Sequence, residues 1–449
     1  MPILLVSALI AAGACSSGGK VEFETRALAP AAGAAPGASA GEPATPAVSG
    51  GLLPATPASG AAGSNPAGRS GTAGGSVPGQ QNQPAAPIKL GTVLPLQGGQ
   101  RSFGEPVLRT TQAFVDELNA RGGVGGARLE LIAYNACLTC QDEALQATRR
   151  LVEKDGVFAL VNTYPMVIAF QPVIAYLVSK GVPLIQGGAE NQTTDALTPI
   201  NFATAPTGLF YVRFLAVMTR KYAGLTRVGL TYLNVPTEAH GVPQLKRELA
   251  KQGVQVVDEE PVAAAEEAVT NMDSIVTRMR ARGAQGALAI NPVLLIYGRL
   301  AASRQAWNVP WVGEAAWSRL VEDSCGGTCD DLVLTDTAGL SYVDRDTPQM
   351  HQYKDTLARR YPGGEFTGHT LAAWVAMQLV TEVLAKTGPD RRAFLQALEH
   401  IRNLDLGTNS PLTFTPDRHL GGSASVLLRL KGGKYIRVSE PLNFGEAPP

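Results

Sequence analysis

The sequence predicts an α/β protein built on doubly wound parallel sheets, and three observations carry that prediction. First, Ile88 to Tyr134 reads as a strand, a Gly-containing loop, a helix, a tight turn and a second strand, which is half of a βαβ arrangement. Second, strand and helix patterns alternate from Ile88 to the C-terminus over a length too great for one sheet of usual size. Third, Ala27 to Pro87 is dominated by Ala, Gly, Pro, Ser and Thr and holds no aromatic residue, so folding starts abruptly at residue 88.

Within the first unit, Ile88–Leu94 is an apolar run long enough for a buried strand. The loop Gly98–Gly104 follows, then a helical pattern with Val107, Phe114, Val115 and Leu118 at three-to-four spacing. Gly122 and Gly123 end that helix, as glycines do where the backbone must turn left-handed. The reading then predicts helices over Glu143–Lys154, Pro165–Ser179, Phe210–Tyr222, His240–Lys251, Asp273–Arg282 (capped by Asp273 or Ser274) and Leu294–Trp307. Three more helices are expected over Pro348–Tyr361, His369–Lys386 and Asp390–Ile401. Strands are expected at Arg128–Tyr134, Val157–Asn162, Val182–Gln186, Asn201–Ala205, Arg227–Tyr232, Val254–Glu260, Ala287–Ile290, Trp311–Gly313, Gly339–Tyr342, Pro411–Phe414 and Ser425–Lys431.

The bulk numbers bound the function. The 449 residues suffice for two domains, and 38 basic residues balance 38 acidic ones with no basic block, which gives no support to a nucleic-acid role. After residue 15 no apolar run is long enough to span a bilayer. Ile3–Ala12 is a shorter apolar run that suits a signal-peptide core, and it ends in Ala12-Gly13-Ala14-Cys15. Small residues before a cysteine resemble a bacterial lipobox, which implies cleavage before Cys15 and a lipid on its sulfur. No Lys or Arg precedes the apolar run, which departs from that pattern. Residues 1–15 are thus read as a lipoprotein signal with its lipidated Cys15. Residues 16–87 are read as a disordered tether, because such a composition cannot offset an ordering cost of roughly 1–2 kcal/mol per residue. That pairing places the globular body outside the cytoplasm, on a membrane.

Four cysteines remain, as Cys137-x-x-Cys140 and Cys325-x-x-x-Cys329. In an oxidising compartment they read most simply as two disulfides, with local pairing favoured. A zinc site would need both pairs to converge. A redox motif stays open because Cys137–Cys140 follows a strand and precedes a helix. The chain has no G-x-S-x-G elbow, no H-E-x-x-H and no G-x-x-x-x-G-K-[ST], and its five histidines, His240, His351, His369, His400 and His419, show no metal spacing. No enzyme, metal or cofactor is expected.

Several stretches resemble the type I periplasmic solute-binding proteins of the branched-chain amino acid class. The opening unit ends in Asn119-Ala120-Arg121-Gly122-Gly123-Val124-Gly125-Gly126, similar to that family's N-x-x-G-G-[VI]-x-G. Asp273–Ala284 is similar to its D-[FY]-[ST]-x-x-[VL]-x-[RK]-[LM]-[RK]-x-x-G-A. Arg304-Gln305-Ala306 before Trp311-Val312-Gly313, and Gly407–Gly421 with Leu412-Thr413-Phe414 and Asp417, follow in the same order. The resemblance implies two lobes joined by a three-segment hinge, with crossings near 205–208, 338–342 and 409–412. Lobe 1 would be 88–206 plus 341–409, and lobe 2 would be 207–338 plus 412–445. It also implies a small molecule trapped between the lobes and delivered to the permease of an ABC importer. A surface-sensing lobe pair without a transport role is the alternative.

Residues at the family's contact positions can be read one by one. Phe103 and Phe366 fall where cleft aromatics are expected, and Glu314 falls near the acid that pairs with a ligand ammonium. Tyr164, Met166 and Gly188 lie in the loops that hold an α-carboxylate in the family, and Glu190 stands near a Thr position there. His240 replaces a tyrosine, and Trp317 adds apolar surface. Few hydroxyls and one carboxylate in those loops argue for an amide, aromatic or apolar ligand over a plain zwitterion.

Overall fold

The computed structural model describes residues 86–443, apart from 99–100, 138–139, 164–169, 188–198, 206–208, 235, 240, 264–266, 315–323, 325, 331, 336–342, 365 and 423. The signal segment, Cys15 and the tether through residue 85 therefore lie outside the described residues, as do the expected strand at 339–342 and two of the three expected crossings.

Two sheets organise the described chain. The first has five strands, β1 (Ile88–Leu94), β2 (Leu129–Asn135), β3 (Ala159–Val161), β4 (Leu184–Gln186) and β5 (Asn201–Ala203), in the order β2-β1-β3-β4-β5. Every pairing in it is parallel, with Ile88 opposite Leu129 and Leu90 opposite Ala159. The second has seven strands: β6 (Arg227–Leu233), β7 (Gln255–Val262), β8 (Gly286–Ala289), β9 (Trp311–Glu314), β10 (Val333–Thr335), β12 (Leu427–Lys431) and β13 (Lys434–Arg437). Its order is β13-β12-β10-β9-β8-β6-β7, parallel from β7 to β10 and antiparallel at β12 and β13. A separate two-stranded pair joins β11 (Ala424–Ser425) to β14 (Leu442–Asn443).

The parallel parts of the two sheets have the same topology. In each, the first strand lies between the second and the third, so each has a switch point beside β1 or β6. Such switch points open a crevice at the carboxyl ends of the strands.

Helices cover both faces, as buried parallel strands require. Helix α1 (Arg101–Ala120) follows β1 and ends at Gly122 and Gly123, whose φ values are 101° and 76°. Then come α2 (Gln141–Arg149, continued by a π turn to Asp155), α3 (Phe170–Lys180), α4 (Leu209–Val217, continued by a π turn to Tyr222), α5 (Pro236–Ala239), α6 (Val242–Lys251), α7 (Glu267–Ala281) and α8 (Pro292–Arg304). Three helices return to the first sheet: α9 (Pro348–Arg360), α10 (Gly368–Thr387) and α11 (Arg391–Glu399). Their starts are set by side chains that accept from orphan N–H groups: Thr347 for α9, Thr367 with Thr370 in a capping box for α10, and Asp390 for α11.

The first core contains an aromatic chain, with Phe114 edge-on to Trp374 at 4.7 Å and Trp374 to Tyr353 at 5.5 Å. Phe158 meets Phe394 at 5.2 Å at its far side. Around the second sheet the core packs aliphatic side chains, Met272 and Met279 with the buried aromatics Trp311, Trp307, Tyr297 and Tyr435.

Several expectations are corrected. The loop after β1 is short, because α1 begins at Arg101 and takes in Phe103 and Gly104. Helix α7 starts at Glu267, so Asp273 and Ser274 are not its cap. Asp273 is an interior residue whose carboxylate pairs with Arg304 at 2.8 Å. Pro411–Phe414 is not a strand; only an isolated bridge joins Leu412 to Leu404. Nor do these residues go with the second sheet: Leu412 and Phe414 are buried in the first core, where Phe414 meets Phe202 at 5.4 Å. The expectation failed because a local apolar run does not say which sheet will bury it. Three strands were unforeseen: β10, β13 and β14. The β12–β13 hairpin did carry a readable signal, Gly432-Gly433 at positive φ between Lys431 and Lys434.

Candidate functional site

The switch-point crevice of the first sheet lies beyond β1 and β3, and several of its described polar groups bond within the protein. Leu96 N–H donates to Asn135 Oδ1 at 2.8 Å, which ties the loop after β1 to the end of β2. The Thr92 hydroxyl donates to the Asn162 carbonyl at 3.2 Å, and Thr163 Oγ1 accepts from Val93 N–H at 3.3 Å. Asn162 has φ 46°, a left-handed conformation that Asn tolerates. Its Nδ2 donates to Thr111 Oγ1 at 3.1 Å and to the Ala373 carbonyl at 3.0 Å, so it locks β3 to both α1 and α10. Two glycines permit the close approaches: a Cβ on Gly104 would stand 2.3 Å from the Pro95 carbonyl oxygen, and one on Gly187 would stand 2.3 Å from the Ala372 backbone. Next to Gly187, Thr204 Oγ1 donates to the Gly187 carbonyl at 3.1 Å, which fixes the chain as it leaves β5.

The second sheet's crevice is built differently. Glu238, in the short helix α5 beyond β6, accepts from Leu233 N–H at 2.7 Å and from Asn291 Nδ2 at 2.9 Å. Asn291 follows β8 and caps α8, its Oδ1 accepting from Val293 N–H at 2.9 Å. Tyr211 of α4 reaches the same edge, its hydroxyl donating to the Ile290 carbonyl at 3.4 Å. The Glu238 carboxyl therefore bridges the two strands that define the switch point. Burial pushes it up to about 7, against the opposing pull of the Asn291 and Leu233 hydrogen bonds. In the first lobe, burial drives His369, in the first turn of α10, down to about 3.

Three of the nine ligand-contact residues named from the sequence are described. Phe103 lies half-buried in the first turn of α1. Phe366 is 38% exposed just before the Thr367 cap, with its ring 5.9 Å from Tyr353. Glu314 is the last residue of β9, paired in register with Thr335. Tyr164, Met166, Gly188, Glu190, His240 and Trp317 lie outside the described residues. Asn162, Glu238 and Asn291 are not among the site residues named from the sequence. The Asn291-Pro292 pair was the available signal, a cap followed by proline at the first helical position. Glu238 had none, because its partners come from two other loops.

Cys137 and Cys140 are joined at the end of β2, their Cα atoms 5.0 Å apart, and Cys140 occupies the N-cap of α2. Cys329 is also half of a disulfide, while Cys325 lies outside the described residues. Among the described residues no group of His, Cys, Asp or Glu is arranged to hold a metal, and no helix is long and apolar enough to cross a membrane.

Residues 87–434 match the family model described as periplasmic binding protein. The chain belongs to that family. Among the relatives of this periplasmic binding protein is the Leu/Ile/Val-binding protein homolog 7 of Brucella suis, 22% identical over 337 residues, or 71% of this chain and 82% of that one. Solved structures repeat its fold. The branched-chain amino acid transporter substrate binding protein LivJ of Streptococcus pneumoniae, in complex with isoleucine, superposes with TM-score 0.66 at 18% identity, covering 80% of this chain and 99% of that one. A solute binding protein of an ABC transporter from R. palustris, in complex with 4-hydroxybenzoate, superposes with TM-score 0.65 at 18% identity, covering 79% and 97%. The type I periplasmic binding protein architecture expected from the sequence is therefore the one observed.

Proposed function

We propose that this periplasmic binding protein is a lipid-anchored receptor that captures a small amino acid-like, amide or aromatic molecule between two lobes and presents it to an ABC permease. Lobe 1 is the body around the first sheet, and lobe 2 the body around the second. The return crossing lies beyond Gly421, since Leu412 and Phe414 belong to the first core. The observation that carries the reading is the repeated switch-point topology of the two sheets, in a chain whose structural relatives include complexes with isoleucine and with 4-hydroxybenzoate. Ligand-driven closure of lobes needs only that the closed form bind better than the open one. Phe103 and Phe366 supply aromatic surface to the cleft, with Tyr164, Met166 and Trp317. Gly188, Glu190, His240 and Glu314 contribute backbone and polar contacts. Cys15 carries the lipid, residues 16–87 act as the tether, and the cysteine pairs are kept as disulfides outside the cytoplasm.

A thermal-shift screen of leucine, valine, aromatic acids, amides and short peptides tests this. The least zwitterionic members should raise the melting temperature most, because binding to the native state alone stabilises it by mass action. Stabilisation by leucine or valine only would overturn the ligand class, and no stabilisation by any member would overturn capture itself.

A further inference from the structure

We propose that one corner of the first lobe, formed by Arg121, Arg128, Arg359 and Arg360 on the far side of the sheet from its crevice, is a docking surface for anionic lipid headgroups. The inference rests on the anchored-receptor reading above and adds a membrane contact that neither the lipid nor the cleft supplies.

The charge comes first. The Glu117 carboxylate, in the last turn of α1, faces three guanidiniums: Arg359 and Arg360 of α9 at 3.1 Å each, and Arg121 at 3.7 Å. Gln352 brings only an uncharged amide to Arg121. Among the described residues Asp273 and Glu259 each pair with a single cation, Arg304 and Lys246. Arg128 belongs to the same corner, since a Cβ on Gly123, two residues past Arg121, would stand 3.2 Å from the Arg128 Cα. Neighbouring opposite charges cancel: Lys89 and Glu130 face each other in register, and Lys354 precedes Asp355. The corner thus sets four arginines against one carboxylate. The carbonyl ends of α1 and α9 offset about half a charge each, which leaves it cationic.

The guanidiniums are also reachable. The side chains of Arg121, Arg359 and Arg360 stay 53%, 60% and 32% exposed, and Arg128 is exposed. Each can add a charge-assisted bond to a phosphate oxygen without leaving its place.

Location selects the occupant. Helix α1 leaves the carboxyl end of β1 and ends where β2 begins, so its last turn lies at the amino edge of the sheet. The crevice lies at the other edge. Ile88 N–H donates to the Arg128 carbonyl at 2.8 Å, so the chain that precedes β1 joins the body at this corner. That chain is the proposed tether, and residues 43–87 hold no Asp or Glu that could neutralise the arginines. A tether joined here lets the arginines reach the bilayer with the shortest stretch of chain. An anionic surface attracts each cation brought near it. Docked in this way, lobe 1 turns its crevice toward the solvent that carries the solute.

Vesicle sedimentation of the full chain carrying Cys15→Ser, which removes the acylation site, tests the inference. The probes are phosphatidylcholine vesicles with and without an equal part of phosphatidylglycerol, in salt of about 0.1 M. The chain should bind the anionic vesicles more tightly. Salt of about 1 M should abolish the preference, because the screening length falls from about 10 Å to about 3 Å. Arg128→Glu, at an exposed side chain, should weaken anionic binding about tenfold or more, at about fivefold for each charge. Arg359→Gln combined with Arg360→Gln should weaken it by a similar factor. Arg304→Gln, an exposed arginine of the second lobe, should leave it unchanged.

Failure to prefer the anionic vesicles, or equal losses in Arg304→Gln and Arg128→Glu, overturns the inference. Release by inorganic phosphate beyond that by chloride at matched ionic strength reassigns the corner to a small anion and overturns it too. The anchor is read separately, by detergent-phase partitioning of the chain exported from a bacterial host with Cys15 or with Cys15→Ser. Identical partitioning of the two overturns the anchor, while the vesicles still decide the corner.

Discussion

The two sheets share a strand order and differ in what they place at their switch points. Among the described residues, the first ends in amides and hydroxyls bonded within the protein: Asn162 on Thr111 and Ala373, Thr163 on Val93, Thr204 on Gly187. The second ends in a carboxyl bridged to a capping amide, with no cation among the described residues. The contrast extends inward, where the first core is cross-braced by edge-to-face aromatics and the second sets Met272, Met279 and aliphatic side chains around Trp311. The difference teaches that one topology can supply a rigid wall on one side and an electrostatically unfinished one on the other.

The largest effect that would break this comparison is loss of the first core's aromatic brace. Trp374→Ala should destabilise by about 3–5 kcal/mol, read as a lowered denaturant midpoint, since it deletes a side chain only 1% exposed and touching two other rings. A cost below that of Leu295→Ala in the second core would contradict the brace.

Next come two glycines. Gly187→Ala drives a Cβ to 2.3 Å from the Ala372 backbone, whereas Gly298→Ala drives one to 2.2 Å from the Trp311 ring. Both should cost about 1–3 kcal/mol. The first should cost more in a paired denaturation series, because backbone yields less readily than a ring edge.

Asn162→Gly keeps the left-handed conformation but gives up both Nδ2 bonds. It should cost about 1–3 kcal/mol by equilibrium unfolding, the range for orphaned buried partners. A neutral result would mean that the first crevice is not locked by this side chain.

The pH dependence of stability sharpens the contrast. The raised Glu238 carboxyl binds more proton in the folded than in the unfolded chain between an ordinary carboxylate value and about 7, so its contribution to stability falls as pH rises through that window. The lowered His369 imidazole acts oppositely: the unfolded chain binds more proton between about 3 and the ordinary histidine range, so stability is lost as pH falls through it. Melting curves from pH 4 to 7 should therefore be flattened on opposite sides by Glu238→Gln and His369→Asn. Identical pH profiles for the two variants would sink the assignment.

The smallest effect is expected at Asp273→Ala, about 0–1 kcal/mol by thermal melting, because the Arg304 pair is half exposed and Asp273 sits inside α7. A larger loss would restore Asp273 as a cap.

Much of the fold was legible because its signals are local. Apolar runs gave all five strands of the first sheet and β6 to β9 and β12 of the second, and Gly122-Gly123 gave the end of α1. The starts of α7 and α1 were misplaced, because Asp273 has the right chemistry for a cap at a position where the helix already runs, and because Gly104 is tolerated inside a helix. The candidate site was less legible. Phe103, Glu314 and Phe366 were named by position along the chain, whereas Glu238 depends on Leu233 and Asn291 meeting it from two other loops.

By itself, the sequence determined an α/β chain of alternating elements and the place, residue 88, where the first strand begins, because period and composition act over a few residues. Only the tertiary structure decided that Leu412 and Phe414 serve the first core, and that Glu238 bridges Leu233 and Asn291 from two separate loops. Burial and charge pairing are sums over neighbours distant in the chain, and no local pattern carries them.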